Sequence, residues 1–385
     1  MKSTQTFFLL SLIILFSCKK ENEPNPQNSI NNTNTASVVS IEGGTYHNGI
    51  LKSDGTVKAC GYNSQGQLGT GDTINSLILV NTIASVNFSQ ISFGASQSFF
   101  LTSDGNVWAC GWNTYSQLGL GASNTTNQLV PVQITGISNV VKISAGNGHC
   151  LFLKNDSTVW VCGASNVGLL GLGAITSAPT PVQISNLSGI TDISAGQATS
   201  MFLKNDGTAW VCGTSMSGAV GNGTTTNQMV PMQIMTGVSA VAAGGGQSFF
   251  LKSDGTAWGC GINTYGQLGN GTTNHSYVPT QVAISSGITD IQPGMSHCLF
   301  LKSDGTVWTC GGGANGQLGT GNSSNAYIPI QIPNLTGVTK ISASDRNSIF
   351  LKSDGSVWIT GQNTYGQLGN GNTSTTLTPI LLSGI

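Results

Sequence analysis

The chain has 385 residues, with 13 Lys and Arg against 14 Asp and Glu, a net charge near −1, and charged residues at 7% of the total, where about a quarter is usual. So sparse and balanced a charge leaves no basic stripe for nucleic acid and no strong field for an oppositely charged partner. Fifty-three glycines with 38% apolar residues, and no collagen-like triplet, point to many strands joined by tight turns.

In chain order, Lys2 precedes an apolar run from Phe7 to Phe16 that is too short to cross a bilayer as a permanent helix. It ends in Leu15-Phe16-Ser17-Cys18, which resembles the lipobox of bacterial lipoproteins, with Phe16 where a small residue is more usual. The resemblance implies a signal peptide over 1–18 and acyl chains on Cys18. It also implies lipid anchoring to the outer membrane of a bacterial envelope, each buried methylene contributing ~0.8 kcal/mol. An ordinary secretory leader with Cys18 incidental is the alternative. Residues 19–37 are polar, Asn-rich and Pro-containing and read as a flexible linker. Lys19-Lys20-Glu21 with Glu23 is similar to the charged export tags of bacterial surface lipoproteins.

From 38 to 385 the sequence repeats seven times. The turn aspartates are Asp54, Asp104, Asp156, Asp206, Asp254, Asp304 and Asp354, at intervals of 50, 52, 50, 48, 50 and 50. A period near fifty with several short strands per unit is the signature of a propeller. In the second unit, Ile91 to Gly94 is a first strand and Gln97 to Thr102 a second. Ser103-Asp104-Gly105 turns the chain, and Asn106 to Cys110 returns antiparallel. A Gly-punctuated loop, Gly111 to Gly121, leads to a fourth strand at Leu129 to Ile134. Pro131 lacks a ladder donor, which places that strand at the outer edge. The Asp-centred turn suits a type I turn with a left-handed third residue, so residues equidistant from the Asp face each other. Trp108, Trp160, Trp210, Trp258, Trp308 and Trp358, four residues after each Asp, are expected to fill the space between blades; Lys58 takes that place in the first unit.

The expected fold is therefore all-β, a seven-bladed propeller of four-stranded antiparallel blades. The chain enters at Val38-Val39-Ser40-Ile41 as a first strand and leaves at Leu377 to Leu382 as a fourth. The C-terminal strand is accordingly expected to join the first blade and clasp the ring.

The string L-K-S-D-G-x-V-W-x-x-G-x-N-x-x-G-Q-L-G-x-G runs through Leu51–Gly71, Leu101–Gly121, Leu251–Gly271, Leu301–Gly321 and Leu351–Gly371. It resembles the repeat of the regulator of chromosome condensation (RCC1) family. Gly168-Leu169-Leu170-Gly171 and Gly218-Ala219-Val220-Gly221 depart from it in units three and four. The resemblance implies a seven-bladed propeller over about nine tenths of the chain.

Cys60, Cys110, Cys162, Cys212, Cys260 and Cys310 occupy equivalent positions. Cys150 and Cys298 lie six residues before their turn Asp, so Cys150 should face Cys162 and Cys298 should face Cys310. Either these form two disulfides within blades, as an oxidising compartment allows, or all eight are small buried hydrophobes. No C-x-x-C pair suggests zinc. His47, His149 and His297 share one slot, held by Gln97, Thr199, Gln247 and Asn347 elsewhere, so a polar group bonding loop backbone is expected rather than a metal triad. His275 is expected to face solvent.

With the turns subtracted, the remaining acids past the linker are Glu42, Asp72, Asp192, Asp290 and Asp345. They form no paired-carboxylate motif, nucleophile elbow or phosphate loop. No catalytic residue, metal or cofactor is expected. The loops after strands one and three share one face of the disc, and their non-repeating residues Tyr62, Trp112, Tyr115, Asp345 and Arg346 are the expected partner-binding set. Tyr115, Tyr265 and Tyr365, each in Asn-Thr-Tyr, read more readily as packing between blades, which leaves Tyr62 and Trp112 as the leading contact residues. The function expected is an envelope-anchored module binding an envelope or extracellular protein or glycan, touching membrane only through its lipid. Neither nucleic acid nor a small GTPase is an expected partner. The alternative is a glycan-active lyase or hydrolase using the loop face.

Overall fold

The computed structural model describes residues 36–385, so Cys18, the leader and nearly all of the linker lie outside the described residues. Within them are 28 strands and no helix. Seven four-stranded antiparallel sheets each take four consecutive strands in order. Blade one spans Val38–Asn81, two Gln90–Gln133, three Val140–Gln183, four Ile190–Met235, five Val238–Gln281, six Ile288–Gln331 and seven Val338–Leu381. First strands line the axis and fourth strands form the rim.

The hairpins follow the spacing. Leu101 pairs with Val107 and Ser98 with Cys110, symmetric about Asp104. Asp54 Oδ1 accepts bonds from the Thr56 amide (3.0 Å) and hydroxyl (2.6 Å), closing the turn locally. Gly55 takes φ +82°, while Ser157 adopts the same left-handed conformation in blade three.

No blade has a core of its own. Seven apolar clusters each lie between two neighbouring blades, and Trp108, Trp160, Trp210, Trp258, Trp308 and Trp358 pack half-buried against six of them. Phe99 and Phe152, on blades two and three, meet edge to face at 6.2 Å in one such layer. A sheet buried on both faces only by its neighbours cannot persist alone, which is why the repeat must close into a ring.

Backbone bonds run round the rim. The second Gly of each G-x-G loop donates to the fourth strand of the next blade, from Gly71 to Leu129 O (2.9 Å) through Gly321 to Leu377 O (2.9 Å), and Gly371 returns to Leu77 O at 2.8 Å. Nearer the axis, Ser92, Ser144, Ser194 and Ser342 accept the amides of Ala145, Ala195, Ala243 and Gly43 on the following blades.

Closure departs from expectation. Thr376–Leu381 pairs with Val357–Gly361 and completes blade seven, not blade one. Ser76–Asn81, SLILVN, already fills the fourth place of blade one beside Val57–Gly61, leaving no slot for the C-terminus. That strand lacks the Pro that marks the later rim strands, which hid it. The ring closes instead by face-to-face packing of blades seven and one, with Ile349, Leu351 and Ile359 against Ile41, Ile50 and Cys60. Lys58 Nζ to Gly384 O (2.6 Å) and Asn48 Nδ2 to Gln367 O (2.9 Å) cross the same seam.

Candidate functional site

The first residue after each strand-three Gly varies between blades, as Tyr62, Trp112, Ala164, Thr214, Ile262, Gly312 and Gln362. Trp112 and Tyr115 stand on the loop that follows this Gly in blade two. Their rings meet edge to face at 5.4 Å and 79°, and Trp112 Nε1 donates to Thr114 Oγ1 at 2.9 Å, which holds the indole in place. Tyr115 is 62% exposed. Tyr265, at the same repeat position on blade five, is also exposed, so for these two the packing role between blades is corrected. With Gln117, and with Asn147, Gly148 and Ala164 of blade three, Trp112 and Tyr115 enclose a cavity of about 150 Å³.

Tyr62 lands elsewhere. It belongs to a trio with Tyr46 and Tyr365 across the junction of blades seven and one, at centroid distances of 4.9 to 6.3 Å. Tyr365 does pack between blades. Tyr46 was missed in the sequence because it follows a first strand, where the other blades carry Ser96, Gly148, Ala198, Gly246, Ser296 and Arg346.

Asp345 is corrected as an exposed contact residue. It is 5% exposed at the mouth of the axial channel, with Oδ1 unpartnered and Oδ2 3.7 Å from Arg346 Nε. Burial raises its pKa, and Arg346 partly opposes the rise. Arg346 itself remains substantially exposed.

Further along the axis, three of the residual acids converge in a cavity of about 270 Å³ that Glu42, Asp192 and Asp290 line together with Lys142. Lys142 and Asp192 form an ion pair between neighbouring blades. Burial pushes the Glu42 carboxyl up to about 8; the Ser92 hydroxyl and Lys142 lower it, and Asp290 raises it further. Asp290 is also raised by burial, against hydrogen bonding from Gln292. Sequence proximity gave no hint of this set, since the carboxylates are 98 to 248 residues apart. For Lys142, Asp192 and Asp290 the available signal was register: Ser40, Gln90, Lys142, Asp192, Ala240, Asp290 and Lys340 are one repeat position, each opposite a Leu of the second strand, while Glu42 lies two residues further on, opposite Gly49.

The three shared-slot histidines sit in three separate junctions. His47, His149 and His297 bond Ser98, Ser200 and Ser348 of the next blade at 2.9, 2.8 and 2.9 Å. Each serine hydroxyl donates to a carbonyl of the preceding blade, Gln67, Leu169 or Gln317. The serine proton is thus committed, so Nε2 carries the imidazole proton. Gln97 and Gln247 instead bond loop carbonyls of the next blade, as the polar-slot reading expects. His275 is exposed and accepts the Asn263 amide at 3.0 Å.

All eight cysteines past the linker are buried free thiols. The register sets Cys150 opposite Cys162 and Cys298 opposite Cys310, so the pairs face each other as the hairpin count requires. Burial pushes the Cys60 and Cys260 thiols up to about 12 and the others in the same direction. Cys60, Cys162 and Cys310 donate to Gln367, Gln117 and Gln267 carbonyls across junctions.

A model of the regulator of chromosome condensation (RCC1) repeat matches residues 54–101, 104–153, 156–203, 206–251, 254–301, 304–351 and 354–385. A second model of the same repeat matches six segments between 38 and 367. Among solved structures, human WBSCR16 aligns with TM-score 0.79 and 22% identity over 86% of this chain and 94% of its own. Prp20p from Saccharomyces cerevisiae, described with its binding properties to Gsp1p and histones, aligns at 0.79 and 20% identity over 88% of both chains. Yeast RCC1 (Prp20) with Kap60 bound aligns at 0.77 and 18% over 97% and 91%. At these identities the structures show a shared fold. The chain belongs to the RCC1 repeat family.

Proposed function

We propose that this RCC1-repeat protein is a cell-envelope binding module, anchored through acylated Cys18, whose loop face at blades two and three receives an envelope or extracellular protein or a glycan. The observation that carries the reading is the Trp112–Tyr115 pair beside an open cavity. Large aromatics held at fixed geometry on a rigid scaffold are where binding energy concentrates. The fold's record supports binding over turnover, since the yeast relative is described by what it binds. The raised carboxylates Glu42 and Asp290 line the axial cavity, which shares no residue with the aromatic one, so the geometry favours recognition over glycan cleavage.

Capture from envelope extract with the anchored chain tests the site. Trp112→Ala should lose the partner, and a partner retained by the Trp112→Ala, Tyr115→Ala double variant overturns it. Cys18→Ala should release the protein from the membrane fraction; continued membrane association refutes the anchor.

A further inference from the structure

We infer that the cavity between blades two and three takes one neutral sugar ring, stacked against Trp112 and Tyr115 and hydrogen-bonded by the Gln117 side-chain amide. The inference rests on the binding-module reading and names its ligand. It begins from the repeat. At each junction, two loop positions and a loop Gln or its equivalent meet two residues of the following blade. Between blades seven and one the slot is filled: Tyr46 and Tyr62 occupy it and pack on Tyr365. Between blades two and three the corresponding residues are Gly148 and Ala164, and the space stands open at about 150 Å³.

Gln117 is 1% exposed. Its Oε1 accepts the Tyr115 amide at 2.8 Å, while its Nε2 has no partner. Gln67 and Gln367 share that unpartnered amide, and Gln117 is the one of the three that lines this open cavity. A buried donor without an acceptor costs ~1–3 kcal/mol, so a ligand oxygen there is favoured. The lining residues Trp112, Tyr115, Gln117, Asn147, Gly148 and Ala164 include no charged group. A charged ligand would lose hydration without compensation, and an aliphatic side chain would satisfy the rings yet leave the amide orphaned. A pyranose offers an apolar C–H face for the aromatics and a rim of hydroxyl oxygens for the amide.

The test is calorimetric titration of the full chain with neutral oligosaccharides derived from α-glucan, β-glucan, mannan and chitin. One class should bind at a single site and change Trp112 fluorescence. Trp112→Ala and Gly148→Tyr should each weaken it at least ~10-fold, and Tyr265→Ala should not. A Cβ at position 148 meets nothing closer than Ala164 O at 3.6 Å, so Gly148→Tyr should keep its melting temperature. Absence of binding to every class, or binding unchanged in Gly148→Tyr, overturns the inference. If no sugar binds but an envelope protein is captured in a Trp112-dependent way, the sugar assignment falls and the binding-module reading stands. If neither occurs, both fall.

Discussion

Deleting a single hydroxyl, in Ser200→Ala, should weaken the junction of blades three and four by about 3 kcal/mol. Ser200 Oγ accepts from His149 Nε2 at 2.8 Å and donates to Leu169 O at 2.7 Å. His149 and Ser200 are fully buried, and Leu169 is nearly so. The substitution therefore orphans one donor and one acceptor where water has no entry. Each costs ~1–3 kcal/mol, partly offset by the apolar methyl that remains, and the sum is about 3 kcal/mol. At roughly 2 cal/mol/K of unfolding entropy per residue, a domain of this size should lose about 4 °C in Tm. Urea denaturation followed by circular dichroism measures the free energy directly, with the midpoint lowered and the slope unchanged. His149→Gln supplies a second arm. Gln97 and Gln247 show that Gln in this slot reaches loop carbonyls of the next blade, so this variant should cost less than Ser200→Ala. A Ser200→Ala protein within ~0.5 kcal/mol of wild type would refute the relay as a source of stability.

Glu42 makes stability depend on pH between about 4.5 and 8. Its folded pKa is raised from 4.5 to about 8, so the folded state holds a proton that the unfolded state releases, and stability falls as pH rises from about 4.5 to 8. The shift in full corresponds to about 5 kcal/mol as an upper bound. Glu42→Gln should therefore melt higher than wild type at pH 9 and near it at pH 4; parallel curves would refute the assignment. The buried histidines act in the opposite sense: burial lowers His47 to about 3 and His149 and His297 to about 4, so stability falls as pH drops from 6.5 toward 4, and replacing all three with Gln should flatten that limb. Gly111 and Gly121 share a φ near +103°, but a Cβ at 111 meets Ser96 O at 2.4 Å and one at 121 meets nothing within 4 Å. Gly111→Ala should cost several kcal/mol and Gly121→Ala about 1 kcal/mol; equal melting temperatures would show that backbone strain alone governs both. The eight cysteines should resist alkylation in the native protein and all react after denaturation, and a count of four in denaturant would show that Cys150–Cys162 and Cys298–Cys310 are bridged.

Blade number, strand order and hairpin register were legible from spacing alone, because each is enforced within some thirty residues. An Asp-centred turn places Cys150 opposite Cys162 whatever surrounds it. The tryptophans' place between blades was legible too, since a sheet with two apolar faces must bury both. Three things escaped. The clasp was misassigned because SLILVN lacks the Pro that marks later rim strands, and strand pairing was decided by which partner lay adjacent. The axial carboxylates were invisible because residues separated by up to 248 positions become neighbours only when seven first strands surround one axis. The open cavity beside Trp112 was hidden for a related reason. Its size depends on the next blade, where Gly148 and Ala164 leave vacant what Tyr46 and Tyr62 fill at the closing seam. Local geometry is written into each repeat, whereas space and charge belong to the junctions, and a junction exists only once the ring has closed.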